Sequence, residues 1–187
     1  MQEKENILHI FKETKKAIAR GDTGYLRNLS NQTTNTAALT HDPDNIAVAV
    51  IVYSLSKILE RENYKKLPGW ENFYNKCSFC IDHVIDAIKK GDDKKITEEL
   101  NSLRKSVGNI SGDLKKHIQE IFRKASINKA SKIYEHGISM EKTAKLLGIS
   151  MFELASYAGQ KEEVFESPQI KGVDINSRIK TAMEIFK

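Results

Sequence analysis

Apolar residues recur along this chain at spacings of three and four, interrupted by polar clusters with glycine or proline, which is the pattern of successive amphipathic helices. Ile7, Ile10, Phe11 and Ile18 fall on one helical face, and Gly21 stops that element. A second helix starts near Asp22 and carries Tyr25, Leu26 and Leu29 inward. Next comes Ser30-Asn-Gln-Thr-Thr-Asn-Thr36, polar without charge. Asp44 is placed to cap the most apolar stretch, Ile46 to Leu59. Its β-branched residues suit a strand, but a run this long among helices predicts a central helix buried on most sides. After a loop over 63–69, Trp70, Phe73, Tyr74, Cys77, Ile81, Val84, Ile85 and Ile88 line one broad face of a long helix that Gly91 ends. Asp92 or Asp93 caps another helix, carrying Ile96, Leu100, Leu103 and Val107.

Past a turn at Gly108–Gly112 the pattern changes. Leu114, Ile118, Ile121, Phe122 and Ala125 share one face of a helix, and Lys115, Lys116, Arg123 and Lys124 share the opposite one. This helix is expected to break or rotate near Ser126, because Lys129 and Lys132 would otherwise fall on its apolar face. Ile138 to Tyr157 then reads as two short helices and a tight turn. Ser139 caps the first, Ala144 permits a close crossing, and Leu146 and Leu147 close its buried side. Gly148 supplies a left-handed residue, Ile149 plugs the core, and Ser150 with Glu153 spells a capping box for the second helix. Together these are the parts of a helix-turn-helix. A linker at Ser167-Pro168 precedes a last helix from Asp174, with Ile175, Ile179, Ala182 and Phe186 on one stripe. That helix either folds back on the bundle or packs on a second subunit, so a homodimer is one of two arrangements the pattern allows.

The fold class that follows is all-α, with a helical bundle over 1–107, a basic helix plus helix-turn-helix over 108–160, and a linker with a C-terminal helix over 161–187. Composition agrees: 187 residues, 40% hydrophobic, with only three prolines. No apolar run reaches membrane-spanning length, and the N-terminus, Met-Gln-Glu-Lys-Glu-Asn, lacks a signal-peptide core. Two cysteines are too few for a disulfide framework. These features predict a cytoplasmic protein with no membrane partner.

Around the turn, the segment from about Lys129 to Gly159 resembles the helix-turn-helix segment of small archaeal and bacterial antitoxin-like proteins. Its Ala144-Lys-Leu-Leu-Gly-Ile-Ser150 is similar to their Ala-xx-Leu-x-Gly-x-Ser core, behind a short helix, Ala130 to His136. The resemblance implies a DNA-binding regulator, often encoded beside a partner protein; the rest of the chain does not match that family.

Charge gives an independent view. The net charge of +5 is concentrated in residues 104–132, which carry +6, while residues 1–103 and 160–187 are neutral and 133–159 carry −1. A basic helical face suits phosphate contacts, which give affinity and register without reading sequence. The expectation is therefore a regulator that binds nucleic acid, with duplex DNA favoured. Lys115, Lys116, Arg123 and Lys124 would hold phosphates, and Ser150, Met151 and Ser156 would approach the groove. The bundle would bind a protein partner or an effector. The second helix, however, has Glu153 as its one charged residue over 151–158 and offers no guanidinium or amide to bases. The alternative is an adaptor in which Phe152, Leu154 and Tyr157 form a protein-docking surface.

Other constellations point to structure rather than chemistry. Cys77, Cys80 and His83 have the spacing C-x-x-C-x-x-H, yet no second cysteine pair exists, so buried structural cysteines and no metal site are expected. His41-Asp-Pro-Asp44 could pair a histidine with a carboxylate, but reads better as a loop ending in a helix cap. A helical ribonuclease built on His41 and the polar run would sit in a neutral region, a poor place for RNA. His117 and His136 read as solvated. No glycine-rich phosphate loop, nucleophile elbow or His-Glu-x-x-His is present, so neither an enzyme nor a cofactor is expected.

Overall fold

Helical periodicity and its punctuation translate directly into eight α-helices among the described residues, 3–40, 42–105, 112–147 and 149–164 of a computed structural model. They are α1 (Lys4–Arg20), α2 (Thr23–Thr40), α3 (Pro43–Leu59), α4 (Trp70–Lys90), α5 (Asp93–Lys105), α6 (Gly112–Glu135), α7 (Met140–Leu147) and α8 (Met151–Val164). There is no strand among these residues, and the fold is all-α. The short connection over Glu62–Lys66 is a 3₁₀ turn rather than an open loop, and it buries Tyr64. Gly91, at φ 71°, ends α4 in the left-handed conformation that costs other residues energy. The expected linker at Ser167-Pro168, the helix from Asp174, Val107, Gly148 and His41 all lie outside the described residues.

The polar run belongs to α2, which continues through it to Thr40. Ser30, Thr33 and Thr34 are fully buried, and their hydroxyls donate to carbonyls rather than to one another. Thr33 Oγ1 meets Leu29 O at 2.9 Å and Thr34 Oγ1 meets Ser30 O at 2.7 Å, each one turn back in its own helix. Ser30 Oγ crosses to Ala49 O of α3 at 2.7 Å. A short hydroxyl side chain satisfied in this way can face the core, so polarity alone does not end the helix. The cap of α3 is likewise corrected. Asp42, not Asp44, is the N-cap; its carboxylate accepts from Asp44 N at 2.9 Å, with Pro43 at the first helical position. Asp92 caps α5, accepting from Lys95 N at 3.0 Å.

Helix α3 is central, buried along nearly its whole length and packed against α1, α2, α5, α6 and α7. The larger core gathers residues from α1 to α5 and includes Leu114, Ile118 and Ile121 of α6. A second core holds Ala125, Ala130 and Ile133 of α6, Ala144 and Leu147 of α7, and Leu154 of α8. Ile138, just before α7, and Ala37, Ile46 and Val50, from α2 and α3, complete it. Phe122 packs against both. Helix α6 thus takes part in both cores, and side chains of α2 and α3 help to bury those of α7 and α8.

No break occurs near Ser126. Helix α6 is continuous over 24 residues, and the short helix expected at Ala130 to His136 is its C-terminal part. Lys129 does fall on the apolar face, and it is fully buried there. Its Nζ donates to Asn31 Oδ1 of α2 at 3.1 Å and lies 4.6 Å from the centre of the Tyr53 ring of α3. Lys132 Nζ donates to the same oxygen at 3.0 Å. The polar run therefore contributes Asn31 as the acceptor that lets a lysine enter the core.

Candidate nucleic-acid interface

Local chemistry fixes the α7–α8 turn. Ser139 Oγ accepts from Lys142 N at 3.3 Å, capping α7. The capping box of α8 is reciprocal: Glu153 N donates to Ser150 Oγ at 3.1 Å, and Ser150 N donates to Glu153 Oε2 at 3.0 Å. Glu153 has a second partner, because Arg123 Nε of α6 donates to its other oxygen, Oε1, at 2.9 Å. The Ser150 backbone N–H, then Arg123, then the Ser150 hydroxyl hold the Glu153 carboxyl down to about 2. Ile138, Ala144, Leu147 and Leu154 are buried beneath the motif.

With Leu154 anchored inward, α8 turns Met151, Phe152, Ala155 and Ser156 outward. Phe152 is 81% exposed and Met151 52%. Leu154 is unavailable as an interface residue, and Ala155 faces out rather than toward the core. Tyr157 is only half exposed, and its hydroxyl accepts from Asn128 Nδ2 of α6 at 3.0 Å. It belongs to the seam between α8 and α6, so Phe152 and Tyr157 do not share one outer face.

The four cations expected to form a phosphate track are not equivalent. Lys116 is exposed and Lys115 half-buried. Arg123 is committed to Glu153, and Lys124 Nζ lies 2.6 Å from Glu120 Oε1. Both also line a cleft of about 640 Å³ between α3, α6 and α8. Its opposite wall carries Tyr53, Lys57 and Arg61, and Asn128 with Tyr157 form one end. Sequence reasoning missed Tyr53, Lys57, Arg61 and Asn128. For three of them the signal was the spacing Tyr53-x₃-Lys57-x₃-Arg61, polar positions that continue one face of an otherwise apolar helix just past its end; Asn128 carried none.

The cysteine motif lies in the core of α4. Cys77 and Cys80 are both buried free thiols, and burial pushes the Cys80 thiol up. His83 turns away to Glu99, with Nδ1 3.2 Å from Oε1, and packs against the Phe79 ring. His117 stacks on Tyr64 with ring centroids 5.1 Å apart, and His136 is exposed. Among the described residues no helix is long and apolar enough to cross a membrane. No family model, curated protein or solved structure matches the chain.

Proposed function

We propose that this chain is a helix-turn-helix regulatory protein that binds duplex DNA through α7 and α8. The observation that carries this reading is the outward face of α8, held by buried Leu154 and the Ser150–Glu153 box while Met151, Phe152 and Ser156 stand clear of the core. Exposed Lys142 and Lys145 on α7, with Lys115 and Lys116 on α6, supply cations for phosphates. A serine hydroxyl and apolar groups read little beyond hydrogen-bonding edges and thymine methyls, so discrimination between sequences is weak and the phosphate contribution dominates. Changing Lys115 and Lys116 to Gln leaves the Arg123–Glu153 and Lys124–Glu120 pairs intact. It should flatten the dependence of log affinity on log salt by about one for each phosphate no longer neutralised. Adding Arg123→Gln and Lys124→Gln completes the series. Salt-titrated binding curves of equal slope for wild type and variants refute the proposal.

A second reading rests on Phe152. An exposed aromatic beside Met151 on a short helix is a common protein contact, and already-stacked duplex bases offer such a ring little. In that reading α8 is a docking surface of an adaptor. Phe152→Ala then abolishes a protein complex and leaves salt-dependent DNA affinity unchanged. Under the DNA reading it costs sequence discrimination and spares partner binding.

A further inference from the structure

We infer that the cleft between α3, α6 and α8 binds a nucleoside diphosphate, and that its phosphates draw Arg123 away from Glu153. The cleft's volume, about 640 Å³, is in the range of small-molecule sites, and it joins the bundle to the helix-turn-helix. Lys57 at the end of α3 and Arg61 just beyond it converge on the cleft, with Arg123 and Lys124 from α6, against Glu120 in the lining. The Arg61 guanidinium donates to Lys57 O at 2.7 Å and lies 5.6 Å from the Tyr64 ring centre. It meets no carboxylate within ion-pair distance among the described residues. A planar donor fork without a carboxylate is suited to bidentate phosphate binding.

The other cations have exchangeable partners. Lys57 pairs with Glu60 at 2.9 Å and Lys124 with Glu120 at 2.6 Å, and all of these side chains are partly or largely exposed. Exposed pairs contribute little, so a multiply charged phosphate competes with them effectively. The far end of the cleft has a different character. The Tyr157 ring, the Asn128 amide and apolar Ile127 offer a face for a base and hydrogen bonds to its edge. Phosphates at one end and a ring at the other define a nucleoside phosphate.

The consequence follows from Glu153, whose carboxylate serves both the cap of α8 and Arg123. A phosphate that takes Arg123 removes one of the two restraints on the first turn of α8. This regulatory step rests on α8 being the nucleic-acid-binding helix; the binding site itself does not.

Calorimetric titration of the full chain with ADP, pyrophosphate and adenosine separates the parts. ADP should bind saturably, and pyrophosphate and adenosine more weakly. Lys57→Gln and Arg61→Gln should each weaken ADP about tenfold, as expected when one charge-assisted hydrogen bond to phosphate is removed. Arg61→Lys should recover only part of this, and Lys94→Gln, on α5, should change nothing. Tyr157→Ala should bring ADP down to the affinity of pyrophosphate. Circular dichroism confirms that each variant folds. Absence of saturable ADP binding to folded wild type at millimolar concentration overturns the site, as does an equal effect of Lys94→Gln. Pyrophosphate binding as tightly as ADP overturns the nucleoside assignment. DNA binding is then measured with and without saturating ADP. An unchanged affinity refutes the coupling through Arg123. ADP binding by a protein that fails to bind DNA refutes the regulatory reading and leaves the site standing.

Discussion

Replacing Lys129 by Met should stabilise this protein and remove the contribution by which its stability rises with pH above neutrality. Lys129 is fully buried, and its amine has one amide oxygen, Asn31 Oδ1, which it shares with Lys132. The groups facing it are Asn31 from α2, Tyr53 from α3 and Lys132 from its own helix, so no carboxylate among the described residues compensates a charge there. Desolvation first, and the Lys132 charge second, depress the amine from 10.5 to about 7. The folded state therefore binds fewer protons than the unfolded chain between these values, and stability rises with pH across that window. Below about 7 the penalty is present in full, about 5 kcal/mol at most; it is about 4 kcal/mol at pH 7 and about 1.5 kcal/mol at pH 9.5. Water penetration reduces such figures, and exchanging a buried charge for a well-packed apolar group typically returns about 1–4 kcal/mol. Met keeps the length and much of the volume of the side chain, and Asn31, being exposed, can turn to water or keep Lys132. Urea denaturation at pH 7, 8 and 9.5 is the assay. Relative to the variant, the wild type should gain up to about 3 kcal/mol across that range, while the buried Cys80 thiol, with its raised pKa, lowers both profiles alike toward pH 9.5. Parallel profiles, or a variant less stable than wild type at pH 7, refute the reasoning.

Other outcomes follow from particular side chains. Cys77→Ala and Cys80→Ala should each cost about 1–2 kcal/mol through the cavity left in the larger core, measured by chemical denaturation. Both thiols should resist a thiol-specific reagent until urea unfolds the chain, and purified protein should carry no stoichiometric zinc; metal lost in either variant would reverse this assignment. Asp42→Ala should lower stability by about 1 kcal/mol as the cap of α3, and Asp44→Ala by clearly less; the opposite order in thermal melts would return the cap to Asp44.

Helix existence and class were legible in the sequence because periodicity and caps are local properties. The 3.6-residue stripe of α4, the stop at Gly91 and the Ser150–Glu153 box are decided within a few residues of one another. The run Ile46 to Leu59, apolar on nearly all sides, could only be satisfied by burial, and α3 is central. What composition could not decide was the fate of polar side chains whose partners are distant in sequence. Ser30 is buried because its hydroxyl reaches Ala49 O of α3, 19 positions further along the chain. Lys129 seemed to demand a break in α6, because nothing near it in sequence could accept its protons. Only the tertiary structure brings Asn31, 98 positions away, to its amine and the Tyr53 ring beneath it. The same holds for the cations. The sequence located the basic segment, but the packing of α6 against α3 and α8 directs Arg123 and Lys124 into a cleft and ties Arg123 to Glu153. Local pattern determines which elements form; long-range packing determines which of their charged groups remain available to another molecule.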